Sequence, residues 1–439
     1  MNFAILSQKE EETAIPVFAK ILIIFGLILV LSRFRFPLSL CLFLGSILLG
    51  IWVRLGISPW VHYALISVTR IRTISLGLIV AFILVMSKLM EEAGHMRRLM
   101  ERFSLLSNDA RTVGSFMAAL IGLLPMPGGA LFSAPMVEAS IGEHSVTSEQ
   151  KTAVNYWFRH VWEYWWPLYP GVVLAVALLK VDTLRYITFM APMSAISILA
   201  GIFFILRPIG KVTRSKRSTF RWNNLGAFLW EIMPILIVIL VIMGVAALAG
   251  ILGFLGVRLR ISGGFSILPG LLASTIWICK VNHIRLKILL SAIFNQRVLS
   301  MLLLLFSIMI FQGVLVHSNA VIQIRNDLLH YQIPLVLIVL SLPFVSGLIT
   351  GIALGFVGTS FPLLVPIFPT EHFIEYLSFA GLAYTFGYMG MMLSPIHLCL
   401  LVSKDYYHAN LLKSYRYIIL PVLTVMSSAI LLFFLVRAF

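Results

Sequence analysis

Two irregularities, about 227 residues apart, interrupt long apolar stretches of this 439-residue chain. The first is LLPMPGGALFSAPMVE, Leu123 to Glu138, and the second is LITGIALGFVGTSFPLLVP, Leu348 to Pro366. In register, Gly128 meets Gly355, Ser133 meets Ser360 and Pro135 meets Pro362. Each is followed by an apolar helix broken at proline, EYWWPLYPG around Pro167 and MMLSPIHLC around Pro395. Backbone in hydrocarbon must satisfy its own polar groups. Irregular backbone survives there only where it is buried in protein or lines a cavity. Two such interruptions at corresponding places in two halves point to the binding site of a secondary transporter.

Composition sets the class. Hydrophobic residues make up 60% of the chain and charged residues 11%, with mean hydropathy +1.00, against about 25% charged residues in a soluble domain. The chain therefore reads as an all-α polytopic membrane protein. Its net charge of +16 does not imply a nucleic-acid partner. The basic residues cluster in short loops between apolar runs, a positive-inside pattern. Cys41, Cys279 and Cys399 sit in apolar segments without CxxC spacing and read as small buried hydrophobes, so that no disulfide framework and no zinc or other metal site is expected. The first thirteen residues, MNFAILSQKEEET, lack a basic n-region and a small-residue cleavage site. The first apolar run is therefore expected to remain as a membrane helix.

About ten spanning helices and two re-entrant hairpins are expected, in two inverted-topology repeats. After a tail at 1–13, repeat 1 covers 14–206, with helices near 14–32, 37–53, 73–90, 154–179 and 186–206 and hairpin 1 at 112–137. A basic linker at 207–229 begins RPIGKVTRSKRSTFR, which has no acid. Repeat 2 covers 230–439, with helices near 230–250, 264–279, 298–316, 376–402 and 415–437 and hairpin 2 at 334–366. Each hairpin also reads as one kinked span, and both readings stay open. With the linker in the cytoplasm, inside segments hold roughly twenty Lys and Arg and outside segments about ten, the sign the positive-inside rule requires. The N-terminus then lies outside, and an odd number of spans per half makes the second repeat inverted.

The hairpin tips, Pro125 to Gly129 and Thr350 to Gly355, carry the glycines that permit tight reversal and close approach of backbone. A half-helix that restarts there has unpaired N–H groups suited to an anion, and the end of its partner offers carbonyls to a cation. Ser133, Thr359 and Ser360 are candidate hydroxyl ligands; packing by small residues is the alternative. In NYWFRHVWEYWWPLY, Asn155, Arg159 and Glu163 are spaced to share one helix face. Arg159 suits a carboxylate or phosphate, and Glu163 is the candidate proton carrier. A structural Arg159–Glu163 pair is the equal alternative, with Trp157, Trp162, Trp165 and Trp166 as an interfacial aromatic belt. His160 lies off that face and reads as interfacial. At the second break, Ser394 and His397 are the polar candidates. HExxH, GxSxG and Walker signatures are missing from the sequence, so no enzyme activity and no cofactor beyond a coupling Na+ or H+ is expected.

LLPMPGGALFSAPMVE, NYWFRHVWEYWWPLYPG and TGIALGFVGTSFPLL resemble a prokaryotic integral membrane family labelled only as a domain of unknown function, family 401, within the ion transporter superfamily. Gluconate, citrate and C4-dicarboxylate permeases are distant relatives. The resemblance covers essentially the whole chain. It implies a cytoplasmic (inner) membrane location, two hairpins, two broken helices, a homodimer and often an elevator motion. It also implies a hairpin-tip site at Pro127, Gly128, Gly129 and Ser133 with Thr350, Gly351, Thr359 and Ser360. The implied broken-helix site is Trp166, Pro167 and on to Tyr169, with Ser394, Pro395 and His397. The Ser-Asn-Thr motifs of the dicarboxylate carriers are missing here. The leading expectation is a secondary active transporter of a small anionic metabolite coupled to H+ or Na+. The alternatives are a cation/proton antiporter and a non-transporting lipid-handling or scaffold membrane protein.

The charge pattern makes one topological prediction. A cysteine introduced at Ser215 is labelled only from the cytoplasm and one at Glu371 only from outside. Labelling of both from the same side would remove the inverted arrangement.

Overall fold

Apolar segments without strand partners can satisfy their backbone only as helices, and every element among the described residues is helical. The computed structural model describes residues 16–95, 97–99, 109–124, 129–141, 146–210, 222–254 and 266–438. The expected tail 1–13, Pro127 and Gly128 of the first tip, and linker residues 211–221 lie outside the described residues.

The chain opens with α1 (Val17–Arg33), α2 (Leu38–Trp52), α3 (Ile57–Thr69) and α4 (Ile71–Glu92). Then come α5 (Ala110–Gly122), α6 (Gly129–Ile141), α7 (Ser148–Arg159), α8 (Pro170–Leu179) and α9 (Thr183–Gly201). The middle of the chain forms α10 (Trp222–Glu231), α11 (Met233–Phe254), α12 (Ile267–Val281), α13 (Leu286–Ile293), α14 (Gln296–His317) and α15 (Ala320–His330). The last elements are α16 (Leu335–Thr350), α17 (Ala353–Leu364), α18 (Phe373–Met392), α19 (Leu398–Tyr406) and α20 (Leu411–Ala438).

Among the described residues, five stretches are long and apolar enough to cross a membrane: Ile71–Glu92, Thr183–Ile209, Met233–Leu252, Leu286–His317 and Leu411–Arg437. The third is apolar throughout and mostly unburied, with Leu240, Met243, Leu248 and Ile251 all more than half exposed, as for a helix whose surroundings are themselves apolar. The chain thus has the character of a helical membrane protein. Helices α3 and α15 occupy stretches expected as loops. Both are short, 13 and 11 residues, and carry polar residues among the apolar ones.

The half-length helices explain the two hairpins. With 13 residues each, α5 and α6 reach about 20 Å, short of the roughly 30 Å hydrocarbon core. Gly114, near the start of α5, packs against Val137, Ser140 and Ile141 at the end of α6, so the two run antiparallel and side by side rather than as one kinked rod. Helices α16 and α17 likewise fold back on each other. Ser346 meets Thr359 hydroxyl to hydroxyl across them, and Gly351 turns the chain with φ +65°, a conformation glycine adopts without steric cost. The broken helices are α7 with α8 and α18 with α19. A capping box of Thr147 and Gln150 starts α7, and Pro170 stands at the first turn of α8, where its missing N–H costs nothing.

Contacts between elements sort the helices into two groups. One holds α1–α4 with α10–α15. The other holds the hairpins and broken helices, α5–α9 with α16–α20. In the second group the backbones of α16 and α18 nearly touch. A Cβ at Gly347 would overlap the Gly387 carbonyl, and one at Gly390 the Phe344 carbonyl. Gly347→Val or Gly390→Val therefore lowers stability by about 1–3 kcal/mol through overpacking, read as a fall in melting temperature in detergent. Gly244→Val, where an added Cβ meets nothing within 4 Å, leaves it unchanged.

Candidate functional site

The four chain breaks meet at one buried place. Helix α7 ends at Arg159, and a run of turns from His160 to Tyr169 leads to α8. The second break runs from Leu393 to His397 between α18 and α19. Gly171 at the start of α8 lies against Ala353 at the start of α17, 2.7 Å from Cβ to Cβ were Gly171 to carry one. Gly351 at the second hairpin tip lies against Ser394 and His397. Gly129, the first residue of α6, lies so close to the Arg159 guanidinium that a Cβ there would overlap it.

Breaking a helix frees carbonyls that need donors, and buried Tyr and Trp side chains supply them. Trp162 Nε1 donates to Ala119 O at 2.9 Å and Trp166 Nε1 to Leu123 O at 2.8 Å, while the Tyr169 hydroxyl donates to Gly122 O. Carbonyls at and just beyond the end of α5 thereby each accept a side-chain hydrogen bond. Trp157 Nε1 donates to Ser197 O and Trp165 Nε1 to the Ser194 hydroxyl. The four tryptophans therefore lock the break to α5 and α9, where an interfacial belt was expected. Across the breaks, Tyr388 donates to His160 O at 2.6 Å, Tyr384 to Glu163 O at 2.8 Å and Tyr156 to Met392 O at 2.9 Å.

Several expected site residues converge here. Arg159, Glu163, Asn155, Ser394 and His397 are all buried, Arg159 to 2% exposure. Asn155 Nδ2 donates to Ala130 O at 3.1 Å and to Ser403 Oγ at 2.8 Å, tying α7 to α6 and α19. Its Oδ1 and the Ser394 Oγ are buried without a hydrogen-bond partner. Asn155, Arg159 and Glu163 do not share a continuous helix face, because α7 stops at Arg159 and Glu163 lies in the turns beyond. Nor is His160 interfacial. It is 3% exposed, its Nε2 is 3.1 Å from His397 Nε2, and the same nitrogen is 3.7 Å from Glu163 Oε1. Cys399 joins them, so that one donor atom each of His160, His397 and Cys399 lies within 4.8 Å of the others.

Other expected residues stand outside this junction. The hydroxyls of Ser133, Thr350, Thr359 and Ser360 all bond back to carbonyls of their own helices, the internal habit of Ser and Thr in apolar helices. Gly355 packs on Thr350 within hairpin 2. Trp166 and Pro167 are buried in the first break, and Pro395 is exposed in the second. Residues the sequence reading did not place in the site are Tyr156, Tyr384 and Tyr388, together with His160 and Cys399, which it read as interfacial and as a small buried hydrophobe. One signal was present, since Tyr156 and Tyr384 share the 228-residue offset of Pro167 and Pro395.

A helical, membrane-type bundle with four chain breaks gathered around buried ionisable side chains is the class these features define. The chain matches the family described as "Protein of unknown function (DUF401)" over residues 17–436, and it belongs to that family. No curated protein matches it.

The cross-break bonds carry a prediction. Tyr388→Phe leaves buried His160 O with only the long bond from Glu163 N–H, 3.4 Å, and lowers stability by about 1–3 kcal/mol. Tyr384→Phe, which removes the Tyr384 donor to Glu163 O, has the same effect. Both are read as melting temperatures in detergent, and unchanged values would mean that water or another donor serves these carbonyls.

Proposed function

We propose that the chain is a secondary active transporter of a small anionic, organic-acid-like metabolite, coupled to protons or sodium and working by an elevator motion. One observation carries this reading: the Arg159 guanidinium packs on Gly129, the first residue of α6. A helix start carries partial positive charge and N–H groups that lack intrahelical partners. A guanidinium placed there adds like charge in a buried setting, and both groups favour an anion bound beside them.

The finer architecture belongs to the same proposal. Ten spans in two inverted repeats fit the exchange of donors at the breaks. Tyr156 and Tyr384, equivalent by sequence offset, each donate to a carbonyl in the other's broken helix. The group α5–α9 with α16–α20 draws on both halves of the chain and is assigned here as the moving body. The other group is assigned as the scaffold and dimer-forming part, in the cytoplasmic membrane with the N-terminus outside. A crevice of about 760 Å³ between them sets Phe132 of α6 opposite Lys88, Glu91, Asn295 and Arg297, a polar approach toward hairpin 1. Glu163, buried beside His160, is the proposed proton carrier. The second reading, a cation/proton antiporter, rests on the same carboxylate.

A melting-temperature screen of purified protein against organic acids, phosphate and cations identifies the ligand class, because binding to the native state raises apparent stability. Arg159→Lys keeps the charge but loses the bidentate fork. Uptake in proteoliposomes then falls roughly ten- to hundredfold, since a hydrogen bond to a charged group contributes about 1.5–3 kcal/mol. Glu163→Gln abolishes pH-driven uptake and preserves exchange of bound substrate. Full uptake in both variants, with no anion raising the melting temperature, would exclude the proposal.

A further inference from the structure

We infer that His160, His397 and Cys399 are ligands of a borderline-soft divalent metal ion of the zinc type, held where the two broken helices cross. The inference stands on the arrangement of these side chains and does not depend on the transport reading.

The two imidazoles point Nε2 at Nε2, 3.1 Å apart, and both rings are buried. His160 Nδ1 is 2.6 Å from Tyr156 O. That contact assigns the ring proton to Nδ1 and leaves Nε2 with a bare lone pair aimed at His397. The His397 ring also faces the Gly351 backbone, and its Nδ1 is buried without a hydrogen-bond partner of its own. A histidine that donates Nδ1–H to a backbone carbonyl and presents Nε2 inward is oriented as metal-ligating histidines are. In a tetrahedral shell with metal–nitrogen bonds of about 2.0–2.1 Å, two nitrogens stand roughly 3.3 Å apart, close to the separation seen here.

Cys399 supplies the third atom. It is the second residue of α19 and faces the Ala130 backbone of α6. Its sulfur lies within 4.8 Å of the chosen histidine nitrogens, against roughly 3.6 Å in a tetrahedral nitrogen–sulfur pair, a gap that rotation about one side-chain bond closes. The donor set is two nitrogens and one sulfur, which leaves the fourth position of a tetrahedral shell to water or a ligand. Such a set selects zinc-like ions over magnesium or calcium, which prefer all-oxygen shells. The charges are compatible with Arg159 close by. The Cys399 thiolate offsets part of the ion's charge, and the Glu163 carboxylate stands close by, 3.7 Å from His160 Nε2. The ligands come from both breaks, so a bound ion fastens the two broken helices together.

The test uses the full-length protein in detergent, stripped by chelator and titrated with Co2+. One equivalent is expected to give visible bands of tetrahedral intensity and a near-ultraviolet thiolate-to-cobalt band, all displaced by Zn2+ and unaffected by Mg2+. Cys399→Ser removes the thiolate band, and His397→Ala weakens Co2+ binding at least tenfold. Should Cys399→Ser not fold, X-ray absorption of the zinc-loaded Cys41→Ala, Cys279→Ala double variant decides, because its shell still contains sulfur at about 2.3 Å. A wild-type protein without the thiolate band, or a band that survives in Cys399→Ser, overturns the inference. In that case the histidines share only a proton. A melting-temperature rise with organic acids on the same stripped protein keeps the transport reading separate from this outcome.

Discussion

The rest of the structure depends on the pairing of backbone carbonyls freed where helices break. An amide group left unpaired in an apolar interior costs several kcal/mol, and the two broken helices release a run of them. The donors are tyrosine and tryptophan, which combine a large apolar body with one polar atom at the tip. Tyr384, Tyr388 and Tyr156 reach across 221, 228 and 236 residues of chain. Each break is thus completed by the other half of the sequence, and neither would be stable alone. Trp162, Trp166 and Tyr169 perform the same task for the end of α5, which fixes hairpin 1 to the first break.

The two hairpins are not equivalent once packed. The hydroxyls of hairpin 2 are consumed internally, Ser346 on Thr359 and Ser360 on Phe356 O. Hairpin 1 instead presents the start of α6 to Arg159. Burying a guanidinium, a carboxylate and two imidazoles together is costly unless their charges and hydrogen bonds are matched. A purely structural core of this composition would be more stable with apolar residues of similar volume. The concentration of ionisable groups at the junction of four breaks is therefore the strongest physical reason to read it as a site. The buried ionisable groups lie on α7, α19 and the turns beside them, against α6, rather than on both hairpins equally.

The two helix groups each collect segments from both halves of the chain. They meet in part through apolar contacts such as Ile308 of α14 against Gly358 of α17. Such contacts are non-directional, unlike the hydrogen bonds that hold the breaks together within one group. Directional bonds lie inside each group, such as His95 to Glu231 and Asn282 in the first, and the boundary contact of Ile308 with Gly358 is apolar.

Helix positions, the membrane character and the places of interruption were legible in the sequence, because they follow from local composition. An apolar run must become a helix, and the glycines and prolines of PMPGG, TGIALG, WPLYP and LSPIH mark where it cannot continue. Mixed-polarity helices such as α3 and α15 escaped that reading. What the tertiary structure alone decided is which polar atoms meet. Spacing placed Asn155, Arg159 and Glu163 on one face, but α7 ends at Arg159, eight residues before the proline that signalled the break. His160, read as interfacial from its position beside that face, lies instead against His397, 237 residues away. Local periodicity fixes which way a side chain points along its own helix. It carries no information about which distant carbonyl, carboxylate or imidazole will be brought to meet it, and at the crossing of two broken helices those distant partners set the chemistry.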